Sequence, residues 1–237
     1  MTFEEIEKFY QKDTITIAKE LLGKILISKS GNEIFAGYIV ETEAYLGEFD
    51  RAAHGYGKKR TPKVEALFEK AGTVYIHSIH SHKMLNIVTC EKENPQSVLI
   101  RAIDPILNVE RMEENRGKSG ILVSNGPGKF TKAFGIDDRF YKTEIQIVEK
   151  NMFKIENVSE KLENKNFKIK YDISKIDEKY LYLDFENAKI PKKIGTSARI
   201  GVPNKGVWTE KKLRFFVEGN RFVSGMRKAE MKDDVWE

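Results

Sequence analysis

Two glutamates stand two residues apart in the segment Val40-Glu41-Thr42-Glu43-Ala44-Tyr45. Strand side chains alternate between faces, so Glu41, Glu43 and Tyr45 share one face while Val40, Thr42, Ala44 and Leu46 share the other. The plainest reading is a half-buried strand whose polar face meets water. Against it, glutamate is a poor strand former, and carboxylates in successive same-face positions repel each other. Close carboxylates also drive their pKa values apart, which leaves one able to act as a base. The segment that follows, GEFDRAAHGYGKKRTP (residues 47–62), has three glycines, His54 and four basic residues, a composition suited to the wall of a cleft.

A second cluster is HSIHSH (residues 77–82), which holds three of the four histidines. With Glu41, Glu43 and Asp50 it raises metal-assisted hydrolysis as a rival chemistry. On an unbroken strand His80 and His82 share a face and His77 points away. The sequence lacks HExxH, and a single cysteine, Cys90, excludes a zinc-deaminase pattern. The reading is therefore of a site with no metal and no cofactor.

The elements that must position these groups follow from periodicity and punctuation. Thr2 and Glu5 have capping-box spacing, and Asp13 or Thr14 caps a second helix ending at Gly23, with Ala18, Leu21 and Leu22 on one stripe. Residues 24–28 and 33–46 form a hairpin about Ser30-Gly31-Asn32. Thr61-Pro62 opens a helix that ends at Gly72, and Asp104-Pro105 opens another through about Glu114. Residues 73–80, 97–103 and 211–219 are strands, and Asn125-Gly-Pro-Gly leads into a helix over KFTKAF. The charge-rich stretch 150–190 reads as peripheral, with apolar alternation only in FKIKYDI and YLYLDF.

The chain has 237 residues, 40% hydrophobic and 32% charged, with 41 Lys and Arg against 36 Asp and Glu. One domain over residues 1–225 with a polar, mobile tail over 226–237 is expected. The excess charge of +5 permits a polyanionic partner without requiring one. One cysteine rules out an internal disulfide and points to a reducing cytoplasm. No membrane span, secretory leader or apolar dimer seam is evident, so a cytoplasmic monomer is expected.

VETEAYLG followed by DRAAH (50–54) resembles the signature of the alkyladenine (3-methyladenine) DNA glycosylases. Further matches follow in order: RTP (60–62), AGTVYIH (71–77), Asn86 in MLNIV, VLIRAIDP (98–105), NGPGKFTKA (125–133), ARIGV (198–202) and LRFFVEGN (213–220). The resemblance implies an α+β fold, a single curved and mainly antiparallel sheet, open and barrel-like, with helices around it, similar to the C-terminal domain of methionyl-tRNA formyltransferases. It implies hydrolytic removal of alkylated or deaminated purines (3-methyladenine, 7-methylguanine, hypoxanthine) from double-stranded DNA, at the nucleoid in a bacterial cell. Glu43 would be the general base on water, with Arg101 holding that water. Tyr45 and His77 would sandwich the flipped base, His54 would hydrogen-bond near base and sugar, and Asn86 would crowd the guanine amino group. The family often has tyrosines at positions 77 and 80. His80 falls near the side chain that wedges into the duplex, but a one-residue gap before Asn86 leaves His82 or Met84 as alternatives. A nucleotide must be flipped because its C1′ is shielded in the stack, and phosphate contacts offset part of that cost. Lys58, Lys59, Arg60, Lys129 and Lys132 are the candidates, each with a solvated surface charge as the plain alternative. The reaction should be monofunctional, with water as nucleophile and no lysine implied as a Schiff base. Two rivals remain: a metal-dependent nuclease or hydrolase, and a non-catalytic binder of distorted DNA.

Overall fold

A computed structural model describes residues 3–157 and 167–237. In chain order it contains α1 (Phe3–Tyr10), α2 (Thr14–Glu20), β1 (Ile25–Ser30), β2 (Glu33–Tyr45), β3 (Val74–Ile79), β4 (His82–Val88), β5 (Ser97–Leu107), α3 (Val109–Arg116), α4 (Pro127–Ala133), β6 (Gln146–Ile147), β7 (Phe153–Asn157), β8 (Phe167–Tyr171), β9 (Tyr182–Asp184), β10 (Ile194–Ser197), α5 (Val207–Glu210) and β11 (Arg214–Val217). Among the described residues, nine strands form one sheet in the order β3-β4-β5-β2-β1-β9-β6, with β11 also on β2 and β10 on β11. Every pairing is antiparallel except β6 with β9, and the sheet curls into a half-barrel within a single α+β domain, as expected.

β2 is the spine. It pairs along one edge with β5, and along the other first with β1 and then, past Val40, with β11. It is buried on both faces over Ile34–Ala44, so its polar face does not meet water. Below it lies α2, capped by the Asp13 carboxylate, which accepts the N–H groups of Ile15 and Thr16. Leu21 and Leu22 follow it into the core, where each buried leucine contributes about 1.5–3 kcal/mol. The Thr42 hydroxyl donates to the Ala18 carbonyl at 2.7 Å, which fixes one face of β2 on the helix.

Gly37 permits the close approach of β2 and β5. A Cβ there would lie 2.3 Å from Ile103 Cγ2 and 2.7 Å from the Asp104 carbonyl oxygen. Two further register shifts fall beside the paired glutamates. Glu41 pairs with Ala102 and Thr42 with Ile100, with Arg101 between them. The ladder keeps one register on both sides, Ile39 with Ile103 and Thr42 with Ile100, so Arg101 stays on the face of Glu41 and Glu43.

Several expected elements differ. No α-helix follows Thr61-Pro62; residues 65–68 make only a 3-10 turn, because Ala66, Leu67 and Phe68 are all buried and three successive inward residues do not fit a helix with one apolar stripe. Asp104-Pro105 does not open a helix but continues β5, and α3 starts only at Val109. Proline is tolerated there because the ladder shifts register opposite it and β4 covers only Ser97–Leu99 of the far edge. β4 has no sequence signal of its own, since its apolar run shows no alternation. The 150–190 stretch is not merely peripheral: β9 joins β1 in the main sheet, and Leu181 and Leu183 are fully buried. The C-terminal residues are docked, with Val235 buried and Trp236 against Tyr38 at 5.6 Å. The capping role of Thr2 lies outside the described residues.

Candidate active site

Glu41 and Glu43 do share a face, and the fold separates their tasks. Both are fully buried. One oxygen of Glu41 accepts from Arg101 Nε (2.9 Å) and Arg214 Nε (2.6 Å), and the other accepts the Ser224 N–H (2.7 Å). These contacts join β2, β5, β11 and the loop after β11. Glu43 has a lighter frame. Its Oε1 accepts the Ile200 N–H at 2.7 Å and lies 3.2 Å from Arg101 Nη1, while its Oε2 accepts the Tyr45 hydroxyl at 2.9 Å. Burial pushes the Glu43 carboxyl above its ordinary value, and Arg101, the Ile200 amide and Tyr45 pull it back only in part. Arg101 does meet the carboxylate as expected, but desolvation outweighs it.

Tyr45, Arg101 and Ile200 line a cavity of about 380 Å³, within the range of ~300–1,000 Å³ common for small-ligand sites. His54, His77, His80 and Asn86 line it too, whereas Glu43, fully buried, is not among its lining residues and meets it through its contacts with Tyr45, Arg101 and Ile200. Met84, Leu67 and Val202 supply apolar wall.

The histidine wall is built on Tyr75. His77 stacks on its ring at 5.3 Å and 24°, and His54 meets His77 edge-on at 4.6 Å. His54 Nδ1 is 2.7 Å from the Tyr75 hydroxyl. The Asn86 amide nitrogen lies 3.3 Å from the Tyr75 and Met84 carbonyls, which identifies it as the donor end. It is also 3.3 Å from His77 Nδ1, so that nitrogen accepts and the neutral ring carries its proton on Nε2. Burial, with His54 as the lesser cause, pushes His77 down to about 4. Burial and then Lys205 lower His54 as well. Both rings are neutral near pH 7.

His80 and Ser81 form the turn of the β3–β4 hairpin, with φ of 47° and 67°, as a two-residue turn demands. His80 is exposed at the tip, His82 opens β4, and Met84 is buried in the cavity wall. Because the turn divides them, His80 and His82 do not share one strand face. Among the described residues no three His, Cys, Asp or Glu side chains converge as a metal site requires.

The cationic candidates lie outside the cavity and differ in freedom. Arg60 is bound by Glu65 (2.6 and 2.9 Å) and Glu93 (2.8 and 2.9 Å) and lies 4.9 Å from the Phe68 ring centre, so it staples its own loop. Lys58 pairs with Glu48 at 2.8 Å, and Lys129 Nζ donates to Asn125 Oδ1 at 2.7 Å. Lys132 is exposed. Lys59 lines a second groove, about 730 Å³, with Lys63 and Lys83 on the far side of the histidine wall. Sequence reasoning missed Ile200, whose contribution is a main-chain N–H without a side-chain signature. It also missed Tyr75, whose two-residue spacing from His77 was legible.

Residues 8–171 match the methylpurine-DNA glycosylase family. A Staphylococcus saprophyticus protein, provisionally named a 3-methyladenine DNA glycosylase, is 46% identical over 224 residues, 94% of this chain and 95% of its own length. A Staphylococcus aureus protein with the same provisional name is 44% identical over 230 residues, 96% of this chain and 98% of its own.

Proposed function

The chain belongs to the methylpurine-DNA glycosylase family and is a DNA glycosylase, a hydrolase of N-glycosyl bonds; from that membership and the Glu43 site we propose that it flips alkylated or deaminated purines, among them 3-methyladenine, 7-methylguanine and hypoxanthine, out of duplex DNA and releases them with water as the nucleophile. The observation that carries this reading is the Glu43 frame. Oε1 accepts the Ile200 N–H and faces the Arg101 guanidinium at 3.2 Å, while Oε2 accepts only Tyr45 and keeps a lone pair. A water on Oε2 loses a proton to Glu43 as its oxygen bonds to C1′ and the bond from C1′ to the purine nitrogen breaks; the electron pair leaves with the purine, so a cationic alkylpurine departs neutral and hypoxanthine takes up a proton from solvent. The raised carboxyl is the better base, and its ionised form also stabilises positive charge developing on the sugar.

The base sits between Tyr45 and His77, with His54 and Asn86 at its edges, and His80 fills the gap in the stack from the hairpin tip. Lys59 and the helix after Gly126-Pro127-Gly128, with Lys129 and Lys132, receive phosphates. Among the described residues no lysine lines the cavity, which supports a monofunctional reaction that leaves the abasic site uncut. The lone cysteine and the bacterial relatives fit a protein that acts in the cytoplasm. Among the described residues no helix is long and apolar enough to cross a membrane.

Excess protein with a duplex containing hypoxanthine or methylated purine, in EDTA, tests the proposal. Strand cleavage that appears only after alkali is expected. Cleavage without alkali that EDTA abolishes would mean a metal nuclease, and binding without base release would mean a non-catalytic binder.

A further inference from the structure

Asp50 and Arg199 form a fully buried ion pair one residue away from the amide that holds Glu43. Arg199 Nη1 and Nη2 donate to Asp50 Oδ2 and Oδ1 at 2.5 and 2.9 Å, a two-pronged contact that fixes the relative orientation of both groups. The same guanidinium donates to the Ala44 carbonyl at 3.0 Å and the Trp208 carbonyl at 3.3 Å, and it lies 4.6 Å from the centre of the Tyr45 ring. Asp50 in turn accepts the N–H groups of Leu46 (3.1 Å) and Ala52 (3.0 Å). The pair thus ties together the end of β2, the loop leading to His54 and the segment 198–202. These contacts place the Ile200 N–H on Glu43 Oε1 and set the Tyr45 ring whose hydroxyl meets Oε2.

We propose that Asp50 and Arg199 are positioning residues for base excision: their pair holds the Ile200 amide on Glu43 Oε1, the oxygen that also faces the Arg101 charge, and so assigns proton transfer to Oε2. The inference rests on Glu43 being the general base. Neither residue touches the reacting atoms. Both act through a main-chain donor and an aromatic ring.

A buried ion pair broken on one side often unfolds a protein, because the remaining charge has no partner. Arg199→Lys keeps the positive charge beside Asp50 but cannot grip it with two prongs while holding two carbonyls. The double variant Asp50→Asn/Arg199→Gln removes both charges together. Each is compared with the wild type in single-turnover release from saturating hypoxanthine duplex, corrected for the active fraction, with duplex affinity and the pH profile measured beside it. The expected result is a rate per active molecule lower by about tenfold or more, as for losing a hydrogen bond to a charged group, with affinity changed by less than about threefold. The acid limb should also move to higher pH, because Glu43 loses a donor to its ionised form. The groups that face Glu43 are otherwise unaltered: Glu41 and Tyr45 on β2, Arg101 on β5, and Arg214 of β11, which is bound to Glu41. A purely stabilising pair would lower the active fraction and the melting temperature but leave the rate per active molecule and the acid limb in place. That outcome in either folded variant overturns the proposal. Glu43→Gln run in parallel separates the two levels: if it turns over normally, the general-base reading fails first.

Discussion

Replacing Glu43 by glutamine changes one atom of the site and should separate catalysis from binding. The amide oxygen of the new side chain can still accept the Ile200 N–H and face Arg101, and Arg101 keeps a counter-charge because its Nε donates to Glu41 at 2.9 Å. What disappears is the acceptor for the water proton. General-base assistance is worth about 10²–10⁴-fold, so single-turnover release should fall by at least ~100-fold while affinity for a hypoxanthine duplex stays within a small factor. Stability should move the opposite way. Burial holds the folded-state pKa of Glu43 above its unfolded value, so ionising it at neutral pH opposes folding. Glutamine removes that penalty. The variant should melt higher at pH 7, by roughly 2–4 °C for each ~1 kcal/mol recovered in a domain of this size. The gain should shrink as pH falls through the folded pKa and vanish below the unfolded one. Excision is read by alkali cleavage, affinity by anisotropy, and melting by calorimetry at pH 7 and pH 4. A variant that excises within tenfold of the wild-type rate refutes the assignment. One that melts lower at pH 7 refutes the burial argument even if activity is lost.

Three further outcomes follow from the same geometry. The excision rate should fall on the acid side with a limb above the ordinary carboxylate range, while the ratio of 7-methylguanine to hypoxanthine release stays flat between about pH 8 and about pH 5.5, because His77 at about 4 is neutral throughout; a ratio that bends in this window, and stops bending in His77→Tyr, would show that His77 titrates there. Lys59→Ala should lower the slope of log affinity against log salt by about 1, whereas Arg60→Ala should change it less, since Arg60 is already bound by Glu65 and Glu93; equal slopes for the two variants would count against that distinction. Gly37→Ala should destabilise by about 1–3 kcal/mol in urea unfolding, because its Cβ would sit 2.3 Å from Ile103 Cγ2; unchanged stability would mean that β2 and β5 separate at little cost.

Local signals are legible wherever one residue type has one dominant use. Asp13 caps α2, and Ser30-Gly31-Asn32 turns the first hairpin. Proline misleads twice, at Pro62 and Pro105, because its fixed φ suits a helix start and an irregular strand equally, and only the neighbouring chain decides. The convergence of Glu43, Arg101, Tyr45, His54, His77 and Asn86 is legible through the ordered motifs, not through periodicity. The freedom of individual cations is not, since Arg60 and Lys59 are neighbours in sequence and differ only in what folds back on them.

The paired glutamates show why strand alternation alone could not finish the assignment. Two same-face carboxylates at zero exposure are tolerable only if cations enter the face with them. The register of β5 supplies one: the pairs on both sides, Ile39 with Ile103 and Glu43 with Leu99, put Arg101 beside Glu41, and its guanidinium reaches Glu41 through Nε and Glu43 through Nη1. Arg214, opposite Glu43 on β11, then turns to Glu41 as well. Glu41 thereby takes two arginines and an amide, and Glu43 takes a share of one arginine. Burial raises the Glu43 carboxyl, and a single arginine offsets it only in part. The division between a carboxylate that ties strands together and the one proposed to accept a proton thus follows from how many cations the neighbouring strands bring to each.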